Sequence, residues 1–577
     1  MSTEIYRPIA PLPTEPVRGR RWRVNGWSLF AVIVALVISV PVLVVVAHIF
    51  LVPTGEVWRH LAATLLPTYI GNSLKLMLGV GAGTLLIGVG TAWLVTMCRF
   101  PGRRIFEWAL LLPMAVPAYV IAYTYTGLLE FAGPVQEGLR AFMGWQRGDY
   151  WFPDIRSLGG AIVMMTLVLY PYVYLLSRAA FLEQSICVLE VSRTLGRSPL
   201  KSFFLIALPL SRPAVATGVA LALMETLNDF GTVQYFAVDT FTTGIFRTWY
   251  GLGEPAAAAQ LAAVLMLFVL ALVVGERMSR GRGRIHHTSP RYRALTGFRM
   301  TAPRRALALI ACSVPVLFGF IIPAVALARW SWQTGPRMID QRFIGYAFNS
   351  FTLAAVAALL AVAIAVLIAY GMRLKPSKLS SVAARLASMG YAVPGAVIAV
   401  GVLIPFAWAD GILNDLSVRF LGLQPGLILS GTIVAVTFAY VVRFLAVSLN
   451  TVESSLAKIT PHMDDAARTL GMRPSRVLGR VHLPIMGGSL LTAALLVFVD
   501  VMKELPATLI LRPFNFDTLA IRTYQLASDE RLADSSSAAL AIVVVGIVPV
   551  ILLSVAIARS RPGSAQGNLT HQEAKVP

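Results

Sequence analysis

Apolar and polar positions alternate along this chain in long blocks, not in the short periods of a soluble fold. Runs of mainly apolar residues, each about the 20 needed to cross a hydrocarbon core about 30 Å thick, occupy 28–52, 71–97, 106–129, 159–181, 205–228 and 257–276, then 304–328, 349–371, 383–409, 423–448, 484–502 and 536–558. Twelve spans are predicted, six on either side of an arginine-rich stretch, and polar residues interrupt the ends of the fifth and eleventh. The fold class that follows is an all-α polytopic membrane protein made of two tandem six-helix domains, 28–276 and 304–558. Segment 1–27, a basic linker 277–303 and a tail 559–577 complete the chain.

The two halves repeat one another. Glu190-Val191-Ser192-Arg193-Thr194-Leu195-Gly196, nine residues, then Ile206-Ala207-Leu208-Pro209 returns 275 positions later as Asp465-Ala466-Ala467-Arg468-Thr469-Leu470-Gly471, nine residues, then Val481-His482-Leu483-Pro484. Asn72-Ser73 returns as Asn349-Ser350, and Ala115-Val116-Pro117 as Ala392-Val393-Pro394, both at an offset of 277. Arg247-Thr248 returns as Arg522-Thr523. Because each half holds six spans and starts on the same side, the halves are parallel repeats about an axis along the membrane normal, with a translocation path along that axis.

Composition agrees and narrows the partners. With 57% hydrophobic and 13% charged residues over 577 positions, the chain is too apolar for a soluble enzyme. Its formal charge of +21 resides in short runs flanking apolar blocks, where arginine orients spans and meets anionic lipid, so no nucleic-acid partner is expected. Basic residues crowd the N-terminus, the turns after spans two and eight, both repeated polar loops and the tail, which predicts these, with both termini, to be cytoplasmic. The N-terminal run is too long and lacks the small-residue end of a cleaved signal, so span one is read as retained. Cys98, Cys187 and Cys312 have no spacing that predicts a metal site or disulfide, and the seven histidines are scattered.

Each repeated loop reads as helix, sharp turn, helix. Val188, Val191 and Leu195, like Met463, Ala466 and Leu470, place an apolar stripe on one side of a short helix. Gly196 and Gly471 suit a left-handed helix end, and Pro199 and Pro474 the start of the next helix. Arg193, Thr194, Arg468 and Thr469 are left for the outer face.

On these residues the chain resembles the inner-membrane permeases of binding-protein-dependent ABC importers, whose signature is Glu-Ala-Ala, three residues, Gly, nine residues, Ile-x-Leu-Pro. Asp465 and Val481 in the second copy, and Val191-Ser192 in the first, are mild departures. The resemblance spans nearly the whole chain as a fused pair of permease domains of type I architecture. It implies an inner-membrane protein, coupling helices docking into two copies of a cytoplasmic ATPase, a periplasmic binding protein, and ATP and Mg held by the ATPase with no cofactor on this chain. The coupling residues it implies are Glu190, Arg193, Thr194, Leu195, Gly196 and Pro209, and Asp465, Ala466, Ala467, Arg468, Thr469, Leu470, Gly471 and Pro484. The stretch 225–236, with Thr242-Thr243-Gly244-Ile245 and Arg247-Thr248-Trp249, is similar to the fused permeases of ferric-iron importers. Thiamine, polyamine and phosphonate permeases are related and remain open as cargo classes.

No Gly-x4-Gly-Lys-Ser/Thr string is present to surround phosphates, so ATP is expected to be hydrolysed by partners. A stand-alone secondary transporter is the rival reading; it would not need paired docking loops. No convergent catalytic cluster is apparent, and the chain is not expected to be an enzyme. Ionisable residues near membrane depth are costly and face protein or water. Glu225 and Asp229 end span five, and Asp500 and Glu504, with Lys503 between them, end span eleven at the repeat offset. These four carboxylates are the expected substrate pathway. Tyr119, Tyr123, Tyr125, Tyr170, Tyr172 and Tyr174 are candidate oxygen donors that serve equally as packing residues.

Overall fold

A computed structural model describes residues 26–51, 55–146, 148–183, 199–280, 298–374 and 378–559. The long helices, in order, are α1 (Gly26–Leu51), α2 (Leu66–Met97), α3 (Ala118–Leu129), α4 (Leu158–Glu183), α5 (Leu208–Asn228), α6 (Pro255–Arg280), α7 (Ala302–Met338), α8 (Gln341–Leu374), α9 (Gly395–Leu421), α10 (Ile433–Leu456), α11 (Leu483–Met502) and α12 (Leu532–Arg559). Among the described residues eleven helices are long and apolar enough to cross a membrane, and a bent pair around α3 makes up to twelve. A two-residue parallel pairing, Cys98–Arg99 with Phe298–Arg299, ties the end of α2 to the entry of α7.

Two expected spans break ahead of a proline. The third, 106–129, is two helices, Arg103–Ala115 and Ala118–Met143, bent by 89°. The ninth, 383–409, divides into the short helix Lys378–Ala387 with a 3-10 turn and α9, which begins only at Gly395. The cause is the same in both. Proline crowds the residue before it out of the helical region, and Val116 (φ −93°, ψ 119°) and Val393 (φ −82°, ψ 125°), preceding Pro117 and Pro394, are extended. The tenth expected span, 423–448, moves to α10 because the apolar residues 423–431 form a loop. Asp410 of α9 fastens that loop, accepting hydrogen bonds from the backbone N–H of Ile428 (3.0 Å), Leu429 (2.8 Å) and Ser430 (2.8 Å) and from the Ser430 hydroxyl (2.6 Å).

Each half packs the same trio, α2 with α4 and α5, and α8 with α10 and α11. The repeated asparagines do one job twice: Asn72 donates to the Asp239 carbonyl (2.9 Å) and Asn349 to the Asp517 carbonyl (3.1 Å). The first helix of each half lies partly against the other half. α1 packs on α8, α9 and Lys378–Ala387, while α7 packs on α2, α3 and the Arg103–Ala115 segment. Glycine permits the closest approaches. A Cβ at Gly401 of α9 would stand 2.2 Å from the Pro41 carbonyl oxygen of α1, and one at Gly319 of α7 2.8 Å from that of Leu167 in α4.

Candidate functional site

The ends of α5 and α11 meet between the halves around a cavity of about 90 Å³. Glu225, Asp229, Asp500 and Glu504 all line it, together with Arg443, Lys503, Asn228, Tyr119 and Tyr172. The structure thus brings the four expected carboxylates to one place, with a division of labour that the sequence does not reveal. Asp229 accepts from the N–H of Thr232 (3.0 Å) and Val233 (3.2 Å) and from the Thr232 hydroxyl (3.0 Å), capping the short helix Gly231–Tyr235. Glu504 accepts from the N–H of Ala507 (3.2 Å) at the matching turn. Both therefore have structural work, since a first-turn N–H otherwise lacks a partner. Asp500 pairs with Lys503 at 2.9 Å.

Arg443, in the body of α10 and only 3% exposed, was missed by reading span ends. Its signal was present: one arginine inside an apolar run. Its Nη1 donates to Asn228 Oδ1 of the first half (2.7 Å) and to Glu504 Oε1 (3.3 Å), and its Nη2 stands 3.9 Å from Glu225 Oε2. Asn228 Oδ1 also accepts from the Gly395 N–H at 2.6 Å. A Cβ at Gly395 would lie 2.5 Å from Glu504 Oε1 and 2.6 Å from Arg443 Nη1, so a glycine is needed at this joint. Of the candidate tyrosines, Tyr119 and Tyr172 line the cavity; Tyr123 and Tyr170 are buried elsewhere, Tyr125 donates to the Phe318 carbonyl (2.7 Å) and Tyr174 to that of Glu107 (3.1 Å).

The second repeated loop lies at the opposite end of α11. Helix Pro461–Thr469 closes with paired bonds, Met472 N–H to the Ala467 carbonyl (3.0 Å) and Gly471 N–H to that of Arg468 (2.9 Å), while Gly471 has φ +73°. That is the left-handed cap expected of glycine. The next helix starts at Pro474, as expected. The apolar stripe, however, does not turn inward. Met463 is 46% and Leu470 80% exposed, Ala466, Arg468 and Thr469 are exposed too, and Asp465 pairs with its helix neighbour Arg468 (3.8 Å). The face toward the body carries Ala467 and Asp464, because Asp464 is held from both sides. Arg373 of α8 donates to its Oδ2 (2.7 Å) and His482 Nε2 to its Oδ1 (2.7 Å), and Arg373 also caps the carbonyls of Leu456 (2.6 Å) and Ile459 (2.7 Å). Burial pushes the Asp464 carboxyl up, but these hydrogen bonds outweigh it and hold it below its usual value.

Pro484 and Pro209 sit in the first turns of α11 and α5, each after one π-helical turn, Leu478–His482 and Phe203–Ala207. Proline's missing N–H and its bulk account for the widened turn. Glu190, Arg193, Thr194, Leu195 and Gly196 lie outside the described residues.

Near the far ends of the spans a clasp joins the halves. The Arg156 guanidinium donates to both Glu530 oxygens (2.8 and 2.7 Å) and to the Tyr235 hydroxyl (3.2 Å), and its Nε pairs with Glu130. The hydrogen bond from Arg156 holds the Glu530 carboxyl below its usual value against partial burial.

Comparison with known proteins gives two matches to one family, described as the binding-protein-dependent transport system inner membrane component, over residues 84–276 and 361–562. Among relatives, the chain is 27% identical to the Fe(3+)-transport system permease protein FbpB 2 of Haemophilus influenzae over 91% of its own length and 97% of that protein's. It is 27% identical to the molybdenum transport system permease protein ModB of Escherichia coli over 34% of its length and 86% of ModB. It is 28% identical to the sulfate transport system permease protein CysT of Salmonella typhimurium over 32% of its length and 67% of CysT.

Proposed function

Because the chain belongs to the family of binding-protein-dependent transport system inner membrane components, and is the permease of an ABC importer rather than an enzyme, we propose that its cargo is ferric iron. The observation that carries this reading is the charge of the cavity between the halves. Four carboxylates, Glu225, Asp229, Asp500 and Glu504, face two bases, Arg443 and Lys503. The surplus is acidic. In a site of lowered dielectric a net negative charge repels molybdate or sulfate and attracts a cation, and carboxylate and phenol oxygens suit a hard metal ion. The near full-length match to a ferric permease supports the same choice.

A multi-pass inner-membrane permease of this family works with a substrate-binding protein and ATPase partners. Two ATPase copies, one per repeated loop, are the stoichiometry we infer, with ATP and Mg on those subunits. The loop around Pro461–Thr469 fits that role through its exposed Met463, Ala466 and Leu470 on a helix pinned from behind by Arg373. Its basic surroundings support a cytoplasmic position for it, the linker and both termini; the Arg156 clasp then faces the binding protein. About 30 Å of α5, 21 residues from Leu208 to Asn228, separates the loop end from the cavity, so nucleotide-driven movement at the loops reaches the cargo through rigid helices.

The test is uptake of radioactive ferric iron by proteoliposomes holding permease, ATPase and loaded binding protein, alongside molybdate, sulfate, thiamine and a polyamine. ATP-dependent iron uptake is expected, and the double variant Glu225→Gln/Asp500→Asn should cut it at least about tenfold while ATPase assembly persists. Transport of another class and none of iron would overturn the reading.

A further inference from the structure

The carboxylates that a cation would need are already partly covered by a cation belonging to the protein. Arg443 reaches from the second half to Asn228 and Glu225 of the first and to Glu504 of its own half. It is a feature of one half only: at the repeat offset of 275 the first half has Val168, which also lines the cavity, where the second has Arg443. Its fit is incomplete. The side chain is 4% exposed, but among the described residues only Nη1 lies within hydrogen-bond reach of acceptors, Nη2 is 3.9 Å from its carboxylate, and Nε has no hydrogen-bond partner. A guanidinium has five N–H donors, so this one is held by charge and one well-placed nitrogen while lining the cavity.

We propose that Arg443 is a tethered stand-in for the cargo: in the empty permease it neutralises Glu225 and Glu504 and bridges the halves, and an arriving cation displaces it from both carboxylates. This deepens the ferric reading of the same cavity and rests on its cation cargo. No bond is made or broken. Replacement of the guanidinium by a cation of higher charge lets the cation enter without leaving bare buried carboxylates, and the returning guanidinium takes its place again on release. Detachment from Asn228 also removes the bond that joins α5 to α10, so occupancy and separation of the halves are one event. Arg443 acts here as a specificity and release residue; binding oxygens come from the carboxylates.

Terbium(III), a hard trivalent ion whose emission nearby tyrosines sensitise, serves as the probe, titrated into the full permease–ATPase complex in nanodiscs. Tyr119 and Tyr172 line the cavity. Arg443→Gln should bind terbium at least about tenfold tighter than the wild type, Arg443→Lys within about threefold of it, and Arg443→Gln/Glu225→Gln/Glu504→Gln more weakly than Arg443→Gln. An assembled Arg443→Gln complex that binds no tighter would overturn the proposal and leave Arg443 a structural joint. A second measurement needs no variant: phenylglyoxal labelling of Arg443 in the wild type, read by mass spectrometry, should rise severalfold with terbium bound, and unchanged or reduced labelling would equally overturn it. If both terbium results hold while proteoliposomes transport no iron, displacement stands and only the ferric reading falls. If Arg443→Gln abolishes binding of molybdate or sulfate by the wild-type cavity, Arg443 is an anion ligand and both fall.

Discussion

Asp464 and Arg443 show how much one side chain decides here. Asp464 fixes the orientation of an otherwise exposed helix, because its two oxygens face Arg373 and His482 at 2.7 Å each. Asp464→Asn keeps the shape but removes the charge, a loss of about 2 kcal/mol for charge-assisted bonds in a partly buried setting. Local opening should then expose Arg468 and Arg473 to trypsin roughly thirtyfold faster at low protease. The pH dependence has a definite sign. A carboxyl held below its unfolded value stabilises the fold above that value, about 3.9 for aspartate, and the contribution is lost as pH falls through the lower folded one. Opening of helix Pro461–Thr469 in the wild type, read by backbone hydrogen exchange corrected for its intrinsic pH dependence because trypsin loses its own activity in acid, should therefore be flat from neutrality down to about pH 5 and rise only in stronger acid, and Asp464→Asn should lack that rise; a mid-range transition in the wild type would contradict this account. The motif directs attention to Asp465, which is exposed, and only the fold reveals its neighbour as the anchor. Arg443 is hidden in the same way: it lies inside a span, away from the span ends where the repeat pairs the charged residues. The four carboxylates were legible because the repeat offset pairs them, a signal that needs no geometry.

At the scale of the element, the long helices were legible because apolar length alone specifies them, whereas their ends were not. A hydropathy run passes through Pro117 and Pro394, but the helix does not: Val116 and Val393 are extended before a proline that disfavours the helical region, whereas Pro41 and Pro405 are accommodated inside α1 and α9. Apolar content equally mislabelled 423–431, which is a loop tied to Asp410. The helix–turn–helix at Gly471 was legible from glycine and proline spacing. Gly471 has φ +73°, a conformation that costs a β-branched residue about 1–2 kcal/mol. Gly471→Val should insert into the membrane normally yet lose at least about half of ATPase stimulation, because the exposed face bearing Leu470 is re-aimed by the altered cap. Purified complexes compared for bound ATPase and binding-protein-stimulated hydrolysis would decide it, and unchanged values for both would remove this loop from coupling.

For the whole molecule, the two halves are held together at three levels: the Asn228–Arg443 joint at the cavity, the Arg156–Glu530 clasp toward the far end, and the exchanged helices α1 and α7. Orientation is a property of the assembled chain, argued from arginine placement. A reporter that is active only outside the cytoplasm, fused within 277–303, should be silent, and the same reporter at 144–148 should be active; matching signals would break the orientation. Exchange of α1 carries a further consequence for synthesis. Pro41 and the Gly401 backbone it touches are about 360 residues apart, and at 5–20 residues per second the ribosome needs roughly 20–70 s to deliver the second after the first. For that interval α1 resides in the bilayer with much of its final packing surface facing lipid, so the amino-terminal half cannot finish maturing until its twin has been translated. Fusion into one polypeptide bounds this wait by elongation and spares α1 a search for a separately made partner, which ties the yield of correctly assembled permease to translation speed through residue 401.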